Sequence, residues 1–432
     1  MNLDRILGQH DLKDKIYSSI QIYSILYLCQ HNNINMFYLE SQDLTNKKAI
    51  IRVDLNVPLD ENNKVADTTR IEACTETVDK VIKLGGSCVL LSHLGRPKGK
   101  DNKLSLKQIV DTVSLVFKRP VMFHENCIGK EAEKVVSLLE PGQIILMENL
   151  RFYEEETKGD LEFAESLSKL GDVYINDAFG TCHREHASTA VIAKFFNGKK
   201  FAGKLLQKEL EVINQIAEQG KKPVLAILGG AKVSSKLKIL YNLIHKVDKI
   251  IIGGGMAYTF IRAKGGKTGN SLFEEELIEN AKEILTIAED SGKEIILPED
   301  TIASTDFDNN ERIKTFKTAK IEDGWMGLDI GKESIEKFNK AILSCNTVFW
   351  NGPMGVFEKE KFSLGTEAIC KSLREAKSNG VNVIVGGGDS IAALKKLGNK
   401  DWVTYISTGG GALLESLEGK ALPGVKALSN DY

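Results

Sequence analysis

The stretch Val224-Leu-Ala-Ile-Leu-Gly-Gly-Ala-Lys232-Val-Ser-Ser-Lys236 joins an apolar run to a glycine pair and two lysines. It reads as a buried strand over 224–228, a glycine turn, and a helix carrying Lys232 and Lys236 on one face of its first turns. A glycine turn at a helix N-terminus offers backbone N–H groups to an anion such as phosphate. Two ammonium groups beside it would hold a polyphosphate, and a solvated lysine pair is the plainer alternative. The same shape recurs in Lys249-Ile-Ile-Ile-Gly-Gly-Gly-Met-Ala257, Val381-Asn-Val-Ile-Val-Gly-Gly-Gly-Asp389-Ser390 and Tyr405-Ile-Ser-Thr-Gly-Gly-Gly-Ala412. Such runs suit strands buried on both faces of a parallel sheet. Ligands of open α/β sheets bind beyond the carboxyl ends of the strands, so these turns predict one backbone-lined floor. None fits G-x-x-x-x-G-K-[ST] and none gives a clean G-x-G-x-x-G.

A second set of residues lies in the first half of the chain. Arg52-Val-Asp54-Leu55-Asn56-Val-Pro58 ends an apolar run with a carboxylate and an amide, which reads either as a turn or as a substrate rim. Thr68-Thr69-Arg70 opens a helix to about residue 84, with Thr68 as its N-cap. Arg70 then stands at the unfavourable end of the helix dipole, a small cost unless an anion is near. Ser92-His93-Leu94-Gly95-Arg96-Pro97, Glu148-Asn-Leu-Arg151 and His183-Arg184-Glu-His186 follow later strands. The His183/His186 pair invites a metal reading, but no third ligand is evident, and anion binding or packing is preferred. Arg70, His93, Arg96, Arg151 and Arg184 form a set of cationic positions that suits a small, multiply charged anion, for example a phosphorylated carboxylic acid.

In the second half, Met256, Tyr258 and Phe260 wall an apolar base pocket or simply pack a helix. Residues 324–331 read as a loop before a helix from Ser334, and Trp350-Asn351-Gly-Pro353 as a strand and turn leading to Glu358, a possible ribose acceptor. Asp389 is the carboxylate set within a glycine turn, and a carboxylate beside polyphosphate suits Mg²⁺.

The elements that must position these groups alternate. Strands at 87–91, 144–146 and 173–175 are separated by helical patterns at 106–117, 131–139 and 161–170, which implies parallel sheets. The amphipathic segment 204–220 is the expected hinge helix between an anion-binding half and a phosphate-cradling half. The 432 residues allow two or three domains. A net charge of −2 excludes a bulk nucleic-acid footprint. The seven cysteines are scattered without a C-x-x-C, which points to reduced thiols in a cytoplasmic location. Residues 1–35 differ from the rest. Their apolar part, 17–29, is too short to span a bilayer, and they read as a helical appendage or as sequence upstream of a start at Met36.

From about Met36 onward, these motifs and their order resemble the phosphoglycerate kinase family. The residues that carry the likeness are Arg52–Pro58, Ser92–Pro97, Glu148–Phe152, Leu228–Lys232, Trp350–Glu358, Gly386–Asp389 and Ser407–Ala412. The resemblance implies two Rossmann-like lobes of class α/β, each a parallel β-sheet flanked by helices, joined by a hinge helix. By it, residues 36–203, completed by 420–432, form the 3-phosphoglycerate lobe, and 221–419 the nucleotide lobe. It implies reversible phosphoryl transfer between ATP/ADP and 3-phosphoglycerate. It places Asp54, Leu55, Asn56, Arg70, His93, Leu94, Gly95, Arg96, Arg151 and Arg184 on the acceptor. On the nucleotide it places Gly230, Ala231, Lys232, Lys236, Gly254, Gly255, Gly327, Leu328, Asn351, Pro353, Glu358, Gly386, Gly387, Gly388, Asp389 and Ser390, with Mg²⁺ on Asp389. Arg70, Lys232 and Lys236 are the catalytic expectation. A monomer without nucleic-acid or membrane partners is expected. Ser235 departs from the family, in which many members carry an acidic residue before the second lysine. Two rival readings are a nicotinamide-dependent dehydrogenase, disfavoured by the missing fingerprint, and a nucleotide-binding scaffold with a dead site.

Overall fold

The structure, a computed structural model, describes residues 39, 42–308, 312–429 and 432. The expectations for residues 1–35 lie outside them. The chain divides into two units: one ends at Lys208 and resumes at Gly419, and the other is Glu209–Glu418. The division falls inside the helix Lys204–Ala217.

The first unit is built on a six-stranded sheet. Its strands are β1 (Lys48–Arg52), β2 (Ser87–Leu91), β3 (Val121–His124), β4 (Ile144–Met147), β5 (Val173–Asn176) and β6 (Lys200–Ala202), in the order β3-β4-β2-β1-β5-β6. Every pairing is parallel. β1, β2, β4 and β5 are almost wholly buried, as expected of strands covered on both faces. One core packs Ile51, Leu90, Leu146 and Ile175 against Cys74 and Val78 of the helix Thr69–Lys83 and Val113 of the helix Val110–Phe117. The chain winds outward from β1 through β2, then crosses to β5, so the order reverses beside β1. The C-terminal tail belongs to this unit: Asn176 Nδ2 donates to Gly424 O at 3.3 Å, and Lys200 Nζ to Tyr432 O at 3.2 Å.

The second unit repeats the plan. Its main strands are β7 (Val224–Leu228), β8 (Lys249–Ile252), β10 (Glu294–Ile296), β15 (Thr347–Asn351), β16 (Asn382–Val385) and β17 (Tyr405–Ile406). They pair in parallel in the order β10-β8-β7-β15-β16-β17, and the order reverses between β7 and β15. Two short strands, β9 (Lys267–Thr268) and β13 (Lys320–Ile321), pair with each other. A three-stranded antiparallel sheet of β11 (Asp300–Ser304), β12 (Ile313–Lys317) and β14 (Met326–Ile330) is added.

Several sequence expectations are corrected. Residues 324–331 are not a simple loop, because 326–330 form β14 and the following helix starts at Lys332. Thr68 does not cap its helix through its side chain, since its hydroxyl donates to Glu72 Oε1 at 2.7 Å; the Asp67 carboxylate takes the Thr69 N–H at 2.8 Å instead. Lys232 and Lys236 do not share a helix face. The helix begins at Leu237 with Lys236 as its cap residue, because Ser234 N and Oγ are both bound by the Glu274 carboxylate at 2.9 and 2.6 Å. That anchor holds the chain in a turn where a helix was expected.

Candidate active site

In the first unit, β1 delivers Arg52 into the interior and then releases residues 53–56 at its carboxyl end. Asp54 Oδ2 accepts from Arg70 Nη1 at 2.7 Å, so an anion for Arg70 is supplied by the chain itself. Leu55 N donates to Ser92 Oγ at 2.9 Å, and Gly95 N to Asn56 Oδ1 at 2.8 Å. Asn149 Nδ2 donates to Leu94 O at 2.8 Å, and Arg151 Nη1 to Gly95 O at 2.6 Å. The loops after β1, β2 and β4 are therefore tied to one another by direct hydrogen bonds. Arg184 comes from the segment after β5, with its Nε donating to His183 Nε2 at 3.0 Å. Arg96, Arg151, Arg184 and His186 line one cavity of about 950 Å³, together with Pro97 and Lys98.

Behind this cavity lies a buried polar chain. Arg52 is 1% exposed. Its Nε donates to Ser188 Oγ at 2.9 Å, one Nη1 hydrogen bonds Val53 O, and Nη2 is 3.1 Å from His93 Nδ1. Ser188 donates through Oγ and N to the two oxygens of buried Glu156, at 2.6 and 2.9 Å. Burial, and then Arg52, Arg151, Arg70 and Arg184, hold the His93 imidazole well below its usual pKa. Burial and the same set of arginines, without Arg70, bring His186 down to about 3. Arg151 is lowered to about 10, first by burial and then by Arg184 and Arg52. Burial and the surrounding guanidinium groups thus oppose a positive charge on His93, because protonation would add one more charge to the arginine cluster. Among the described residues no group of three or more His, Cys, Asp or Glu is placed to hold a metal ion.

In the second unit the turns after β7, β8, β15 and β16 are knitted together by their backbones. Gly229 N donates to Asn351 O at 3.0 Å, Gly230 N to Pro353 O at 3.1 Å, and Met256 N to Gly230 O at 3.1 Å. Asn351 Nδ2 donates to Gly386 O at 2.8 Å, and Gly352 N to Ser390 Oγ at 2.5 Å. Gly254 has φ +65°, and a Cβ there would stand 2.6 Å from Gly230 O. Gly387 has φ +89°, and its Cβ would meet Asn351 Nδ2 at 2.5 Å. A side chain at Gly388, the first residue of the helix Gly388–Leu397, would meet nothing within 4 Å. The floor is thus closed where turns touch and open above this helix start.

Lys236 Nζ folds back onto Gly229 O at 2.6 Å and Asn351 O at 2.8 Å. Burial lowers it to about 8, and the nearby Asp389 carboxylate works in the opposite sense. Asp389 is exposed in the first turn of its helix. Lys232 and Ala231 are exposed in the turn, and Ser235 Oγ closes it by donating to Lys232 O at 2.8 Å. Gly327 N donates to Ser271 Oγ at 2.9 Å, with Leu328 buried beside it and Gly255 at the start of the helix Met256–Ala263. Glu358 is exposed further along the chain. Met256, Tyr258 and Phe260 resolve to packing: all three are buried, Tyr258 against Ala303, Phe316 and Ile321.

Sequence reasoning missed the supports. Arg52 was visible only as a charge closing an apolar run, and Glu156 and Ser188 carried no local signal. Leu272, next to Ser271, is 48% exposed, an apolar surface beside the Gly327 edge. Glu274 holds the turn that bears Lys232, and it lies in the acidic run 274–276, which reads as a solvated helix start.

An arginine-lined cavity in one doubly wound unit and a floor of glycine turns in another define a two-lobed, Rossmann-like α/β protein. The chain belongs to the phosphoglycerate kinase family, whose model matches residues 39–420. It is 49% identical over 390 residues to phosphoglycerate kinase 1, chloroplastic, of Arabidopsis thaliana, covering 90% of this chain and 81% of that one. It is 48% identical to the cytosolic phosphoglycerate kinase of Triticum aestivum, covering 90% and 97%. Among solved structures, phosphoglycerate kinase from Coxiella burnetii superposes with a TM-score of 0.82 at 35% identity, covering 91% of this chain and 98% of that one. The enzyme from Pyrococcus horikoshii OT3 gives 0.76 at 30% identity, covering 91% and 98%.

Proposed function

We propose that the protein transfers a phosphoryl group reversibly and in line between ATP and 3-phosphoglycerate, giving ADP and 1,3-bisphosphoglycerate. The observation that carries this reading is the cavity of about 950 Å³ bearing Arg96, Arg151 and Arg184 in a member of this family. Planar guanidinium groups suit bidentate binding of phosphate and carboxylate oxygens. Asp54, Leu55, Asn56, Arg70, His93, Leu94 and Gly95 complete the acceptor site by side-chain and backbone contacts in this reading.

The nucleotide site is assigned to Gly230, Ala231, Lys232, Lys236, Gly254, Gly255, Gly327, Leu328, Asn351, Pro353, Glu358 and Gly386–Ser390. The residues present fit a polyphosphate: the turns pack backbone on backbone, and the space over Gly388 is open. Asp389 fits Mg²⁺, which takes one or two protein oxygens together with phosphate and water. When bound, Mg²⁺ would neutralise charge on the phosphate oxygens.

The acceptor is a carboxylate, already nucleophilic, so no general base is needed. Arg70, Lys232 and Lys236 supply positive charge where the transferring phosphoryl accumulates negative charge, and alignment does the rest. Their assignment to both lobes requires the lobes to close over the reactants, which also excludes water. We read the protein as a cytoplasmic monomer without nucleic-acid or membrane partners, to be checked by fractionation and light scattering.

The test is turnover of 3-phosphoglycerate with Mg·ATP, the acyl phosphate being trapped by a coupled reduction that consumes NADH. Mg²⁺-dependent turnover is expected. A folded protein that binds ATP without turning over would overturn the reading.

A further inference from the structure

Histidine has two ring nitrogens, and which one carries the proton decides what it can offer a ligand. In this protein the choice is forced. Arg52 Nη2 lies 3.1 Å from His93 Nδ1. A guanidinium has donors and no acceptor, and it does not deprotonate in proteins. The contact is a hydrogen bond only if His93 Nδ1 carries a lone pair.

Arg52 cannot turn away to relieve a clash of two donors. It is 1% exposed, and three of its nitrogens are engaged. Its Nε donates to Ser188 Oγ at 2.9 Å, and Ser188 Oγ donates in turn to Glu156 Oε1 at 2.6 Å. The second Glu156 oxygen accepts from Ser188 N at 2.9 Å. The serine hydroxyl accepts once and donates once, so the relay runs in one direction only.

We propose that Arg52, held by Ser188 and Glu156, is a positioning residue that fixes His93 as the neutral tautomer with its single ring proton on Nε2, so that His93 meets the acceptor anion as a hydrogen-bond donor and not as an imidazolium. The ligand in this statement rests on the function proposed above; the tautomer does not. The charged groups facing His93 from the neighbouring elements all act in the same sense. They are Arg52 at the end of β1, Arg151 after β4, Arg70 on the helix Thr69–Lys83 and Arg184 after β5, and they add to the larger effect of burial.

The experiment is long-range ¹H–¹⁵N NMR of the full chain with ¹⁵N-labelled histidine and no ligand, from about pH 5.5 to about pH 8, the window in which an ordinary histidine titrates. His93→Gln assigns the signal by its loss. A protonated Nε2 with an unprotonated Nδ1, unchanged across the window, is the expected result. A titrating imidazolium, or a proton on Nδ1, would overturn the proposal. Arg52→Lys keeps the charge but loses the fork that serves Ser188 and His93 together. In it His93, still kept neutral by burial and the surrounding charges, should divide its proton between Nδ1 and Nε2, and KM for 3-phosphoglycerate should rise by about tenfold, with kcat changing less. If that variant fails to fold, Ser188→Ala removes the brace and leaves Arg52 in place, with the same expectation. A His93 that keeps its proton on Nε2 alone and an unchanged KM in the folded variant would remove Arg52 from the role. Absent turnover with a neutral Nε2–H His93 would sink the proposed activity alone; turnover with a titrating His93 would sink this inference alone.

Discussion

The two lobes share a doubly wound parallel sheet, yet they build their anion sites from different materials. The first lobe uses side chains: Arg96, Arg151 and Arg184 converge on one cavity, and Arg52, Ser188 and Glu156 are buried behind it. The second lobe uses backbone: neighbouring glycine turns bond to one another, and one lysine, Lys236, folds onto their carbonyls. A cluster of guanidinium groups concentrates charge, but it needs a buried polar support whose every member is satisfied. A floor of glycine turns needs no such support, but where the turns touch, as at Gly254 and Gly387, it leaves no room for Cβ atoms. The first kind of site should fail when atoms are removed, and the second when atoms are added.

The largest effect should come from truncating charge. Arg70→Ala and Lys232→Ala are each expected to lower kcat by about a hundredfold or more, the scale of removing a transition-state donor, with unchanged circular dichroism. Wild-type turnover in either variant would remove that residue from the chemistry. The support of the first lobe is next. Glu156→Ala leaves buried Arg52 without its indirect counter-charge and should cost about 3 kcal/mol in denaturant unfolding. A loss near zero would mean that the relay is dispensable.

The second lobe should respond to addition. Gly254→Ala places a Cβ 2.6 Å from Gly230 O at φ +65°. It should cost about 1–2 kcal/mol and weaken ATP binding in calorimetry while leaving 3-phosphoglycerate binding intact. Equal weakening of both ligands would erase the contrast between the lobes.

Two smaller effects sharpen it. Lys236 is lowered from 10.5 to about 8, so its ammonium is half lost near pH 8. KM for ATP should rise as pH increases through that value, and Lys236→Arg should flatten the limb because guanidinium stays charged. The sign for stability is opposite: above about pH 8 the unfolded chain holds this proton and the folded chain does not, so the Lys236 contribution to stability grows up to about pH 10.5. Asn56→Ala, which removes the acceptor for Gly95 N, should cost about 1 kcal/mol, read as a modest rise in KM for 3-phosphoglycerate.

Much of this was legible in the chain. The glycine-ended runs after β7, β8, β16 and β17 are local patterns, since a strand buried on both faces must be apolar and its turn must be small. The arginines and Asp54 stood out because charge at the end of an apolar run is unusual. The short strands β3 and β6 and the antiparallel sheet β11–β12–β14 were not legible, because β6 is three residues long, β3 exposes the apolar Met122, and β12 exposes Lys314, Thr315 and Lys317, so their pairing is taken from neighbours.

The sequence by itself determined which residues are charged, where glycine permits a turn, and which runs must be buried, because these are properties of a residue and its near neighbours. Only the tertiary structure decided what those residues are. Asp54 is the partner of Arg70, 16 positions on, and Glu274, bonded to Ser234 across 40 positions, is the anchor that keeps Lys232 out of a helix. His93 is held below its usual pKa by its burial and by arginines from distant positions, among them Arg52, 41 positions earlier and 3.1 Å away. Protonation and hydrogen-bond partnership depend on which distant groups share a low-dielectric space, and folding alone brings those groups together.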